Sequence, residues 1–487
     1  MVFGSPAGNF IGARRHSTYG NHTRILAESD KFLHQGLLSV TGPPTRVGGP
    51  QSRVGRGWVG YNRPRLMSDW PKLRFVLTSF CLGMIALHCT VFWLARYRLL
   101  AGSPDFSIFY TAGLMVRHGQ GSVLYSDQAQ GAAWREVVPG TDVRDHPLPF
   151  NHPPFEALLF VILTYLPYLR AYFLWLLVNL LLVGASAFLM RPWLPTLGSS
   201  FSLLLILAPF AFFPIAYGLL QGQDSILLLV LYCLAYGAFR RSQDLRAGVF
   251  LGLGLFKFHL VLPFAFILLL RRRWQALGGI LVGLGLDFAA SWAVAGWKQL
   301  LYYPQYVLQI NRRQPAGVIV PENMPNLRGL FTGWTWLKPV PMWLELALIA
   351  ASLGLLVWAS RKWRPEELLD IAGWNEGFSI AIVATFLVGY HSYNHDMSIL
   401  LLPAFITLDR ILGQGLQRPT ARTGLIEVLL GLMFFSPLYL ILTLYYAHEN
   451  LFALVLLVLA WCLAVPATTK PRALGDTSTV PSSALLG

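Results

Sequence analysis

Residues 247–270 read AGVFLGLGLFKFHLVLPFAFILLL, and the way this stretch lies in a membrane decides the rest of the topology. It is long enough to cross a bilayer, which needs about 20 helical residues. Lys257 and His259 nevertheless interrupt its middle, and a lysine at a helix centre costs about 2.5 to 3.5 kcal/mol to insert. A hairpin of two short helices brings both cations back to an interface. A second block, 155–166, is closed by Pro153-Pro154 and Pro167 and is too short to span. With 155–166 not crossing and 247–270 re-entrant, Arg191, Arg240-Arg241, Arg246, Arg271-Arg272-Arg273, Arg361-Lys362, Arg418 with Arg422, and Lys470 all share one side with the basic N-terminal arm. Treating either as an ordinary span sends several of these clusters to the wrong side, against the tendency of Lys and Arg to stay cytoplasmic.

The remaining composition agrees. The chain is 55% hydrophobic and 13% charged, with its apolar residues in long blocks, which is the pattern of a polytopic helical membrane protein. The net charge of +15 lies in short clusters between those blocks, so it reads as topology and gives no nucleic-acid partner. Cys81, Cys89, Cys233 and Cys462 all sit in apolar stretches without metal-like spacing. Residues 1–70, rich in Gly, Pro, Ser and Arg, read as a disordered basic cytosolic arm, and 468–487 as a disordered tail. Met67 precedes the basic lead Trp70-Pro71-Lys72-Leu73-Arg74 and is an alternative start.

The membrane domain, 71–467, is expected to be an all-α polytopic bundle of about 10 full spans plus short re-entrant or juxtamembrane helices. The expected spans are 75–98, 171–190, 200–219, 224–239, 274–295, 340–360, 375–390, 396–411, 424–446 and 450–466. The segments 99–153 and 296–339 become the first and second outer loops.

That arrangement collects polar residues on the outer face. Asp105, in Ser103-Pro104-Asp105-Phe106, is placed either to cap a juxtamembrane helix or to act as a base beside a lipid-borne substrate. Lys257 either snorkels or, with His259 at the hairpin tip, holds a phosphate. Gln223, in Gln221-Gly222-Gln223-Asp224, lies at a span boundary, where it binds substrate or joins helices. His391, Asn394, His395 and Asp396 suit contact with a phosphate or sugar better than a metal.

Several motifs in order resemble the GT-C superfamily of glycosyltransferases, family 87 in particular. They are Asp105-Phe106-Ser107-Ile108-Phe109-Tyr110-Thr111-Ala112-Gly113 with Gly119 and Leu124-Tyr125, then His152-Pro153-Pro154-Phe155, Gln221-Gly222-Gln223, Ala247-Gly248 to Lys257 with Pro263, Asn326-Leu327-Arg328-Gly329, and the turn 391–395. The likeness runs from about residue 75 to 445. Asn151-His152 stands where the family has an aromatic residue, Asp224 where amides are common, and the tryptophan expected before the late histidines is absent.

The resemblance implies a GT-C-like fold in the cytoplasmic membrane with its site on the outer face. It implies a polyprenyl-phosphate sugar as donor substrate, a hexose such as mannose as the group moved, and a glycolipid or glycan as acceptor. No cofactor follows from it with certainty, and a divalent metal is not expected. Asp105 takes the role of base in an inverting displacement. Tyr110, Gln223, Lys257, His259, Asn326, Arg328, His391 and His395 are the implied substrate-binding residues. The alternatives are a transporter or flippase of lipid-linked sugars, for which Asp287 is the one clear intramembrane acid, and a noncatalytic scaffold.

Overall fold

The computed structural model describes residues 70–102, 104–137, 148–313, 320–334, 339–364, 370–414 and 420–465. Met67, the arm before Trp70 and the tail 468–487 lie outside the described residues. Helices make up nearly all of the regular structure, and among the described residues there is no strand. In a bilayer this is expected, because a helix satisfies its own backbone.

Five helices are long and apolar enough to cross a membrane, namely Trp70–Leu99, Tyr168–Trp193, Trp274–Ile310, Met342–Lys362 and Ile371–Val388. Three bent pairs bring the number to eight if each counts as one span, against the ten expected from hydropathy. The difference has a local cause. The blocks expected at 224–239, 396–411 and 450–466 hold helices of 15, 14 and 13 residues, Ser225–Phe239, Leu401–Gln414 and Phe452–Ala464. Each is shorter than the hydrocarbon thickness demands of a straight span.

The stretch around Lys257 is one of the bent pairs, Asp244–Gly252 and Leu255–Leu270. Asp244 at its entry forms an ion pair with Arg273 just past its exit, so both ends meet on one side and the segment is re-entrant. Small residues hold it there. A Cβ on Gly248 would stand 1.9 Å from the Ala276 carbonyl oxygen, so this helix touches the backbone of Trp274–Arg313 at a distance only glycine permits. That long helix breaks at Gly296 (φ 76°).

Exposed aromatic residues mark the two interfaces. Trp93, Tyr97, Trp297 and Trp343 lie toward one end of their helices, and Trp274 and Trp461 toward the other. The segment after Trp70–Leu99 is itself helical, Phe106–Arg117 and Asp127–Val137, and packs an aromatic core of Phe106, Phe109, Tyr110, Phe160, Tyr168 and Tyr172. The segment after Gly296 contains the helix Leu327–Thr332.

Candidate active site

A cavity of about 300 Å³ gathers residues from eight separate stretches. Asp105, Gln223, Lys257, His259, His391 and His395 all line it, together with His152, Tyr217, Tyr393, Asn394, Asp396, Thr443 and Glu449.

Asp105 precedes the helix Phe106–Arg117, whose buried aromatic residues anchor it, the Phe109 and Phe160 rings stacking at 4.8 Å. The carboxylate makes no capping bond to that helix; its Oδ2 accepts a 2.8 Å hydrogen bond from Gln223 Nε2. Backbone geometry explains the meeting. The helix Phe213–Gln221 ends at Gly222, which adopts the left-handed conformation (φ 64°), and the Gln223 N–H turns back to the Gly218 carbonyl at 2.9 Å. A Cβ on Gly222 would lie 2.7 Å from Phe106 Cβ, so glycine alone lets this turn press against the neighbour of Asp105. Trp175 Nε1 fixes the turn by donating to the Gly222 carbonyl at 2.9 Å.

Lys257 sits at the tip of the re-entrant segment and is 2% exposed. Its ammonium lies 3.1 Å from Gln223 Oε1, 3.2 Å from Asp224 Oδ1 and 3.1 Å from Asp396 Oδ1. It does not snorkel, and it is enclosed by acids rather than open to a phosphate. Asp396 is held in turn by Ser225 Oγ at 2.9 Å and by the Tyr393 N–H at 3.0 Å. Burial by itself would raise the Asp396 carboxyl, but Lys257 and the neighbouring His395 and His259 hold it well below the usual carboxylate range. Glu156, fully buried, pairs with His152 Nδ1 at 3.0 Å.

The histidines form the other side. His259 and His395 place Nε2 3.7 and 3.5 Å from Asp396 Oδ2, and His259 Nε2 and His395 Nδ1 are buried without a hydrogen-bond partner. Burial, aided by the Arg328 charge, lowers His391 to about 3, and burial lowers His395 and His152 to about 4 each. All three are therefore neutral near pH 7 in the empty cavity. Among the described residues, no cluster of His, Cys, Asp or Glu side chains is arranged to hold a metal ion.

Three residues that the resemblance pointed to as substrate-binding do not line the cavity. The Tyr110 hydroxyl donates to the Leu166 carbonyl at 2.7 Å. Asn326 caps Leu327–Thr332 by accepting from the Gly329 N–H at 2.8 Å, and donates to the Gly389 carbonyl at 2.6 Å, bracing the turn that carries His391. Arg328 stacks over the Tyr390 ring at 4.0 Å and donates to that residue's carbonyl at 3.2 Å. Conversely, sequence reasoning passed over Glu156 and Asp224 as site residues, read Asp396 only as part of a cluster contacting a phosphate or sugar, and missed Tyr217 and Glu449. Asp224 and Asp396 carried a signal, each directly following a polar run at the mouth of an apolar block. Glu449, which accepts from Asn394 Nδ2 at 2.6 Å, carried none.

Buried acids converging with histidines at one end of a membrane-spanning bundle define a multi-pass membrane protein with a site suited to acid–base chemistry. Residues 150–389 match the family model described as glycosyltransferase family 87, a match that supports a membrane glycosyltransferase and is consistent with the GT-C superfamily. No curated protein and no solved structure matches it. Gln223, Lys257, His259, Asn326 and Arg328 fall inside the matched segment, whereas Asp105, His391 and His395 fall outside it.

Proposed function

We propose that the protein transfers a hexose, mannose foremost, from a polyprenyl-phosphate donor to a hydroxyl group of a glycolipid or glycan at the outer face of the cytoplasmic membrane. The observation that carries this reading is the Asp105 carboxylate on the cavity wall, turned away from its own helix and held at 2.8 Å by Gln223. In that position it accepts the proton of the acceptor hydroxyl as the oxygen attacks the anomeric carbon, and the lipid phosphate departs from the opposite face with inversion. A phosphodiester leaving as a monoester gains negative charge. The unpartnered nitrogens of His259 and His395, with His391 beside them, are the donors suited to meet it.

A transport reading finds less support. Asp287 does not line the cavity, and a polar path needs such groups in several spans.

Purified protein supplied with a radiolabelled polyprenyl-phosphate hexose and a membrane lipid extract should release prenyl phosphate and label an acceptor. Movement of intact donor across a vesicle, without transfer of the sugar, would instead favour the transporter.

A further inference from the structure

We infer that Lys257 is a positioning residue that acts on Asp105 through Gln223, and that it does not hold the donor phosphate. The inference rests on the reading of Asp105 as the base and deepens it.

Donor and acceptor chemistry carries the argument. An ammonium has three N–H donors and no acceptor, an ionised carboxylate only accepts, and a primary amide does both at opposite ends. Gln223 stands between a group of each kind, its Oε1 3.1 Å from Lys257 Nζ and its Nε2 2.8 Å from Asp105 Oδ2. Only one orientation of that amide satisfies both neighbours. Reversing it would set carbonyl oxygen against carboxylate and NH₂ against ammonium. Lys257 thereby fixes which end of the amide faces Asp105, and its charge polarises the amide so that the N–H donated to Asp105 is the stronger.

The same geometry removes Lys257 from the phosphate. Three oxygen acceptors surround Nζ within 3.2 Å, as many as it has donors, and two of them belong to the carboxylates of Asp224 and Asp396. Ammonium and carboxylates together carry no net positive charge. The surrounding carboxylates therefore work against an anion there.

Asp105 has other charged or titratable neighbours that contribute to its protonation. Tyr217 on Phe213–Gln221, His152 in the loop before Glu156, and Tyr393 in the late turn all interact electrostatically with it. These keep their charges when Gln223 is changed, so a shift in the pH profile of the Gln223 variants reports the amide, whereas Lys257→Met also removes a charge that acts on His152 directly.

The test measures kcat, donor KM and the pH dependence of kcat for Gln223→Leu, Lys257→Met and the double variant. If Lys257 acts through Gln223, each single variant lowers kcat by about 10-fold or more, leaves donor KM within about 3-fold, and moves the acid limb of the profile up by about one pH unit. The double variant then falls no more than about 3-fold below the weaker single, because both remove one linked effect. A donor KM raised about 10-fold or more in Lys257→Met with kcat preserved, or a double loss equal to the product of the singles, overturns the inference.

Lys257→Met also strips the counter-ion from Asp224 and Asp396, and if it does not fold, Gln223→Glu replaces it. That carboxylate still accepts from Lys257 but offers Asp105 no N–H. Its acid limb should move up, and an unmoved limb overturns the inference. Asp105→Asn separates the two claims. Full activity there sinks the base itself, whereas an inactive Asp105→Asn beside unshifted Gln223 variants sinks only the role given to Lys257.

Discussion

The two sides of the cavity are built on opposite rules. On the carboxylate side, Lys257 and Gln223 sit within hydrogen-bond or ion-pair distance of Asp105, Asp224 and Asp396, and Ser225 and Tyr393 donate to Asp396. On the histidine side, His259 Nε2 and His395 Nδ1 are buried with no hydrogen-bond partner, His259 Nε2 standing 3.7 Å from Asp396 Oδ2. A polar group buried and unsatisfied costs about 1 to 3 kcal/mol, so these two nitrogens, on side chains that line the cavity, stand to gain from a ligand. The side tied together by the Lys257 ion pairs holds its groups still. The unsatisfied side is where binding energy remains to be gained. Chemistry should therefore depend on the first and donor affinity on the second.

The largest effect should come from Asp105→Asn. It preserves size but removes basicity, so transfer should fall by about 100-fold or more while donor KM and melting temperature stay near normal. Turnover and thermal melting on matched amounts of protein check this, and retention of most of the rate would break the assignment of chemistry to this side.

Gly222→Ala comes next. The new Cβ meets Phe106 at 2.7 Å in a left-handed backbone, a conformation that costs a non-glycine residue about 1 to 2 kcal/mol. The turn should shift, carrying Gln223 away from Asp105. The expected result is a loss of kcat of about 10-fold together with a lower melting temperature, since misplacement of a catalytic group by 1 Å is costly.

On the other side, His395→Gln and His391→Gln should raise donor KM by several fold, to about 10-fold, and alter acceptor KM little. Steady-state kinetics with donor and acceptor varied separately decide it. A pure kcat effect in these variants would erase the distinction between the two sides.

A separate effect concerns pH and stability without substrate. His391, at about 3, and His152 and His395, at about 4, lie below the ordinary 6.5 because burial disfavours the cation. Between those values and 6.5 the unfolded chain binds protons that the folded chain refuses. Stability is therefore complete above about pH 6.5 and declines as pH falls through the unfolded value, by at most about 1.4 kcal/mol per unit for each group. Melting temperature should fall from pH 6.5 toward 4, and less steeply in His391→Gln. Bound donor should flatten the decline further, because an anion favours the protonated rings.

Much of this was legible in the chain. Long apolar blocks announced a helical membrane protein, and the distribution of arginine chose the re-entrant course for 247–270, to which the Asp244–Arg273 ion pair now gives a structural basis. Asp105, Gln223, Lys257, His259, His391 and His395 stood out as polar residues at the borders or in the middle of apolar sequence, and all of them line the cavity. The span count was less legible, since hydropathy measures apolar content and not the bends that split 202–221 and 421–446 into short pieces.

What the sequence could determine is what each residue costs to bury, because desolvation belongs to the side chain and its immediate neighbours along the chain. That singled out Lys257 as a residue needing a reason. It could not say which reason, since the partners of a buried charge come from wherever the fold brings them. Asp224 and Asp396 reach the ammonium from different helices, and Gln223 reaches Asp105 only because a glycine turn touches Phe106. The fold alone turned a lysine suited by charge to a phosphate into one enclosed by carboxylates, because Coulomb attraction and hydrogen bonding act over a few ångströms of space irrespective of separation in sequence.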